Sequence, residues 1–119
     1  MAGLLAISVA GCGWSEPPRA QLAEEVAGTF AAAAATLEAL HEGRTTSQYL
    51  EASFEAFRER AMQSIAELRS FDLDPELVGI IDRAAAALSA PCLEPGCDWQ
   101  GQGTVLRKAA KDLLASASP

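Results

Sequence analysis

His41 is the only histidine of the chain, and it stands three residues after Glu38. On a helix this spacing puts a carboxylate and an imidazole on one face, which is the ligand pair of dinuclear iron sites in helical bundles. Such a site needs a second pair of this kind and two further inward carboxylates. His41 also falls in the last predicted turn of its helix, where an imidazolium complements the negative end of the helix dipole. We therefore predict that His41 is a helix-end residue and that the protein holds no metal.

Haem is another cofactor that helical bundles bind. The chain contains no Cys-x-x-Cys-His attachment motif. His41 and Met62 remain as a pair of axial ligands, but Met62 lies off the apolar stripe of its predicted helix. We predict no cofactor, and a metal or haem carrier is the alternative function.

Three glutamates, Glu51, Glu55 and Glu59, follow one another at intervals of four residues. This spacing places them in a line on one face of a helix. We expect a solvated face, and the functional alternative is a docking strip for a basic partner. The sequence offers no G-x-S-x-G motif and no glycine-rich phosphate loop. We therefore predict that the protein is not an enzyme.

The chain begins with a short apolar stretch, Leu4 to Ala10, which is too short to span a membrane but long enough for a secretory signal. The tetrapeptide Val9-Ala10-Gly11-Cys12 that ends it resembles the lipobox of bacterial lipoproteins. The resemblance covers the first twelve residues, although Met1-Ala2-Gly3 lacks the usual Lys or Arg. It implies cleavage before Cys12 and acylation of Cys12, and Gly13 matches the outer-membrane pattern. The alternative is a buried N-terminal strand or helix with an ordinary cysteine.

The cysteine count agrees with export. Of the three cysteines, lipidation of Cys12 leaves one pair, Cys92 and Cys97. In an oxidising compartment we expect this pair to form a disulfide, because Pro95-Gly96 is a turn dipeptide that can bring the two ends together. The spacing is not the Cys-x-x-Cys of thiol redox enzymes. A zinc site would need two more ligands, so we predict a structural staple.

Composition narrows the class of protein. The formal net charge of −7 disfavours binding to nucleic acid and to anionic lipid head groups, so a membrane location requires a tether. Hydrophobic residues make up 50% of the chain but aromatic residues only 6%, and much of the apolar total is alanine. Alanine favours helices that pack closely. We predict a signal peptide over residues 1–11, a tether over 12–18 and one helical domain over 19–119.

Four helical segments follow from apolar positions that recur with an average period of 3.6 residues. The first is predicted from Pro18 to His41 with Gly43 as its stop, and the second after Arg44-Thr45-Thr46, with Thr45 and Gln48 spaced as a capping box. Asp74, Pro75 and Glu76 begin the third, which Pro91 ends, and the last runs from Thr104 to about Ala115. The predicted fold is all-α, a small antiparallel four-helix bundle with one disulfide-stapled loop. A three-helix core with a loose C-terminal helix is the alternative.

The two tryptophans of the chain are further candidates for functional residues. Trp14 stands two residues after Cys12, where an indole suits the membrane interface. Trp99 follows the cysteine loop and either covers the end of the bundle or anchors a partner. The predicted function is a lipid-anchored, extracytoplasmic protein of the cell envelope that binds another envelope protein. At the level of fold only, it is similar to pilotins, which are small helical lipoproteins that escort secretion-channel subunits.

Overall fold

The computed structural model describes residues 18–117, which form four α-helices. They are α1 (Arg19–His41), α2 (Ser47–Leu68), α3 (Pro75–Ser89) and α4 (Trp99–Ala117). No strand occurs within these residues, so the predicted all-α class is confirmed. None of the four helices combines the length and the apolar character that crossing a bilayer requires.

Each helix packs against two others, in the cyclic order α1, α2, α3, α4. The contact between α1 and α4 is the most extensive, so α4 belongs to the bundle and is not the loose helix of the alternative prediction. These two helices run antiparallel, because Arg19 at the start of α1 donates a hydrogen bond of 2.9 Å to the carbonyl of Ser116 near the end of α4. The four-helix bundle is therefore closed through its first and last helices.

The core runs along the bundle axis and is richest on α1. The predicted apolar stripe of α1 is buried except for the half-buried Leu40, and Ala23, Ala27 and Ala34 beside it are buried as well. The buried stripe consists of Leu22, Val26, Phe30, Ala33 and Leu37. This wider buried surface follows from the position of α1 between α2 and α4, with small side chains that allow close approach. The largest fully buried side chains are Phe30, Phe54, Leu37, Leu50, Leu68, Ile81, Leu88, Leu106, Leu113 and Val26.

The turn from α1 to α2 has the helix stop that the sequence predicts. Gly43 has a positive φ of 77°, a conformation that glycine adopts without steric cost. The amide of Arg44 donates to the carbonyl of Ala39 at 2.8 Å, and the amide of Gly43 donates to that of Leu40 at 3.1 Å. These two bonds form a Schellman motif, which reverses the chain so that α2 returns along α1.

Helix α2 begins at Ser47, directly after Arg44-Thr45-Thr46 as predicted, but its capping residue differs by one from the prediction. The capping side chain is Thr46, whose Oγ1 accepts a hydrogen bond of 3.2 Å from the amide of Tyr49. Thr45 was the wrong choice because the helix begins at Ser47, and its cap must accept from the third helical amide. The start of α3 is confirmed, since Asp74 Oδ1 accepts from the amide of Glu76 at 3.0 Å, with Pro75 at the first helical position.

The start of α4 is the larger correction, because the helix begins at Trp99 and not at Thr104. Gly101 and Gly103 lie before the predicted start at Thr104, and each glycine costs a helix about 1 kcal/mol relative to alanine. The carboxylate of Asp98 offsets this cost by accepting a hydrogen bond of 2.9 Å from the amide of Gly101. A Cβ atom on Gly101 would overlap that carboxylate. Gly101 therefore belongs to the cap and does not break the helix.

Candidate functional site

The loop between α3 and α4 brings Cys92 and Cys97 together. Their sulfur atoms lie at disulfide-bonding distance and their Cα atoms are 5.9 Å apart, which is within the usual range for a disulfide. The predicted pairing is confirmed. Cys92 is buried, whereas Cys97 is half-buried and packs against the edge of the core. The pair thus closes one end of the bundle.

His41 lies against this cysteine pair. It is the last residue of α1, and its Nε2 lies 2.8 Å from the carbonyl oxygen of Cys92. Because a carbonyl only accepts, Nε2 carries the proton and donates it. The imidazole is stacked on the indole of Trp99, with ring centroids 4.9 Å apart and planes 2° from parallel. The side chain therefore joins the end of α1 to the cysteine loop and to the start of α4.

Gln102 holds the same loop from the other side. Its Oε1 accepts a hydrogen bond of 2.8 Å from the amide of Cys92, and its Nε2 donates to the carbonyl of Ala90 at 2.9 Å. Both polar groups of the Cys92 backbone are thus occupied, the amide by Gln102 and the carbonyl by His41. The role of Gln102 was not predicted, because Gln102 precedes Thr104, the predicted start of the last helix.

One ring nitrogen of His41 and the two cysteine sulfurs lie within 4.8 Å of one another. This group was not predictable from the sequence, because His41 is 51 residues away from Cys92 and the two belong to different elements. Glu38, the predicted neighbour of His41 in a metal pair, faces α4 instead, where its Oε1 lies 3.5 Å from Nη2 of Arg107. Met62 is 40% exposed on α2.

The acidic line on α2 has the exposure that the sequence predicts, since Glu51, Glu55 and Glu59 are all exposed. Glu51 and Glu55 stand on the rim of a groove of about 350 Å³ between α2 and the cysteine loop. Its apolar lining is Ala52, Phe54, Leu88, Pro91 and Leu93, and Arg58 adds one positive charge. Glu59 continues the acidic line beyond the residues that line this groove.

Trp99 lies at the same end of the bundle but does not line the groove. It is half-buried and packs against the core. One face of the indole is occupied by His41, so Trp99 covers the bundle end. The possible role of Trp99 as a partner anchor stays a prediction. Cys12 and Trp14 lie outside the described residues.

A larger cleft of about 560 Å³ lies between the start of α3 and the end of α4. Its charged lining contains as many cations as carboxylates, namely Arg19, Arg83 and Lys108 with Asp74, Glu76 and Asp112. Lys108 is already paired with Asp112 at 3.1 Å. Because the charges that line this cleft balance, it selects ligands by their charge less strongly than the acidic groove does.

Comparisons of the chain with protein-family models, with curated proteins and with solved structures gave no match. The function of the protein is therefore inferred from its own residues. Two features within residues 18–117 bear on that function. These are the acidic groove beside α2 and the corner formed by His41, Cys92 and Cys97.

Proposed function

We propose that the protein is an envelope lipoprotein that binds another protein and catalyses no reaction. A lipid on Cys12 holds it on the extracytoplasmic side of a membrane, on the outer membrane where the organism has one. The lipobox-like Val9-Ala10-Gly11-Cys12 supports the anchor, because two or three acyl chains hold a protein stably at a membrane. The analogy to pilotins is made at the level of fold only.

The observation that carries the binding role is the groove between α2 and the cysteine loop. Its accessible apolar residues, Ala52, Pro91 and Leu93, give a partner side chain a surface to contact, and its acidic rim selects the charge of that partner. Glu51 and Glu55 outweigh Arg58 by one negative charge, and the exposed Glu59 extends the acidic field. The occupant that fits is a segment of another envelope protein with Lys or Arg beside an apolar residue.

The anchor is tested by the mass of the protein extracted from membranes. We expect residues 12–119 plus acyl chains, with two hydrogens fewer for the Cys92–Cys97 disulfide. A matched Cys12→Ser chain should lose the acyl mass and leave the membrane fraction, because the acidic domain has no electrostatic attraction to anionic lipid. A wild-type protein that retains Met1 and carries no lipid would contradict the anchor.

The groove is tested with a photo-crosslinking amino acid at Ala52, which is exposed and lines it. In native membranes we expect one cross-linked envelope protein. Adding Glu55→Lys should reduce its yield about tenfold, which corresponds to about 1.4 kcal/mol of binding free energy. The loss follows from placing a cation where the partner presents one.

Glu67→Lys is the matched control, since Glu67 is an exposed glutamate on the same helix outside the groove. We expect it to leave the cross-link unchanged, although it alters the net charge of the protein by the same amount. Equal losses with Glu55→Lys and Glu67→Lys would show that only overall charge matters. An undiminished cross-link with Glu55→Lys would reject the groove as the binding surface.

A further inference from the structure

We propose that His41, Cys92 and Cys97 form a zinc site when the disulfide is reduced. The inference does not rest on the proposed function. It rests on the ring nitrogen and the two sulfurs that lie within 4.8 Å of one another. A bundle with a single histidine thus gathers at one corner the two residue types that bind zinc most often.

The ligand set suits zinc. Zinc accepts two thiolates and one imidazole, with a water molecule in the fourth position of a tetrahedron. With Zn–S bonds of about 2.3 Å, the sulfurs of a tetrahedral site lie about 3.8 Å apart. The described cluster, at most 4.8 Å wide, therefore needs only the sulfurs to separate after reduction. The loop permits this because Glu94, Pro95 and Gly96 are all exposed.

His41 offers the cluster one ring nitrogen. Its Nε2 donates to the carbonyl of Cys92 at 2.8 Å, which leaves the lone pair on Nδ1. Histidines that bind a metal through one ring nitrogen typically donate the N–H of the other to a carbonyl or a carboxylate, so zinc takes Nδ1 as its ligand as long as the bond to Cys92 persists. The stacked indole of Trp99 holds the orientation of the ring.

The sulfur ligands differ in how firmly they are held. The backbone of Cys92 is fixed by Gln102 on its amide and by His41 on its carbonyl. Cys97 is half-buried, and its backbone bonds stay within its own segment, from its amide to the carbonyl of Glu94 and from the amide of Trp99 to its carbonyl. Because Cys92 is buried and bonded to side chains of α1 and α4, we expect Cys92 to stay in place while the exposed turn that carries Cys97 adjusts.

Site formation begins with reduction by a dithiol. One of its thiolates attacks a cysteine sulfur, the S–S bond breaks, and the second thiol releases the mixed disulfide. Two electrons and two protons pass from the dithiol to Cys92 and Cys97, and the dithiol leaves as a cyclic disulfide. Zn²⁺ then displaces the two thiol protons and binds the thiolates and the imidazole. A disulfide of the surroundings reverses the step by thiol–disulfide exchange: it accepts two electrons and leaves as two thiols, the Cys92–Cys97 bond forms again, and Zn²⁺ is released. Zinc occupancy therefore follows the ratio of thiol to disulfide around the protein.

The test uses the full chain carrying Cys12→Ser, so that Cys92 and Cys97 are its only cysteines. Half of the sample is reduced with dithiothreitol and desalted without oxygen, and half stays oxidised. Each is titrated with zinc against a chromophoric chelator. We expect one zinc per reduced chain and none per oxidised chain. Cobalt in place of zinc should give thiolate-to-metal charge-transfer absorption in the reduced sample only.

His41→Gln is the decisive variant, because its amide can still donate to the carbonyl of Cys92 but offers no ring nitrogen. We expect the zinc affinity of the reduced chain to fall on the order of 10–100-fold or more, since even an outer partner of a ligand is worth that much. Glu94→Gln, in the same loop, should leave the affinity unchanged. Circular dichroism checks that each variant stays helical. Zinc binding that is equal in both redox states, or unaffected by His41→Gln, would overturn the site.

Discussion

Replacing Phe30 by alanine is expected to lower the free energy of unfolding by about 3–5 kcal/mol. Phe30 is completely buried and is one of the largest side chains of the core. It lies on α1, which packs against both α2 and α4. Truncation removes the transfer free energy of the ring and leaves a cavity that three helices would have to move to fill. Small domains have only about 5–15 kcal/mol of stability, so this loss is a large fraction of the total.

The measurement is chemical denaturation followed by circular dichroism, with the Cys12→Ser chain as the reference. Met62→Ala is the control, because it also shortens a large apolar side chain but at a site that is 40% exposed. We expect that control to shift the free energy of unfolding by no more than about 0.5 kcal/mol. A comparable loss in both variants would mean that α1 does not occupy the centre of the core.

Features set by neighbouring residues were the most predictable from sequence. Asp74 and Pro75 fix the start of α3, and Gly43 fixes the end of α1. In each case the deciding hydrogen bond or backbone angle lies within a few residues of the signal. The apolar period likewise gave the buried side of α1, apart from the additional alanines that its two neighbours cover.

The start of α4 was not predictable from propensity alone. Gly101 and Gly103 weaken a helix when each is considered separately. In the structure, Gly101 is the small residue that lets Asp98 approach the helix amides, and Gly103 is buried in the bundle. The Asp98 cap and tertiary packing therefore outweighed the local preference of the two glycines, in line with the general dependence of helices in proteins on packing.

In the candidate site, too, features that depend on one helix were predictable and features that depend on contacts between elements were not. The exposed glutamates of α2 followed from their spacing, but the far side of the groove, Leu88, Pro91 and Leu93, comes from α3 and the cysteine loop. The pairing of Cys92 with Cys97 followed from the cysteine count, whereas the contact with His41 crosses 51 positions of sequence. Periodicity describes one helix at a time, so it carries no information about which helix ends meet.

Removing the disulfide with Cys92→Ser and Cys97→Ser is expected to lower the free energy of unfolding by about 2 kcal/mol. The bridge closes a loop with a sequence separation of 5, and its main effect is to restrict the unfolded chain. In the folded state, the amide and the carbonyl of Cys92 keep Gln102 and His41 as partners. We therefore expect the double variant to remain folded at lower stability, as measured by urea denaturation.

Dithiothreitol provides the matched control for this prediction. It should lower the stability of the Cys12→Ser reference by the same amount and leave the double serine variant unchanged. Zinc should then restore stability to the reduced reference, because a metal that binds only the folded state stabilises that state. A double variant as stable as the reference would contradict the staple. In that case the hydrogen bonds of Gln102 and His41 would hold this end of the bundle by themselves.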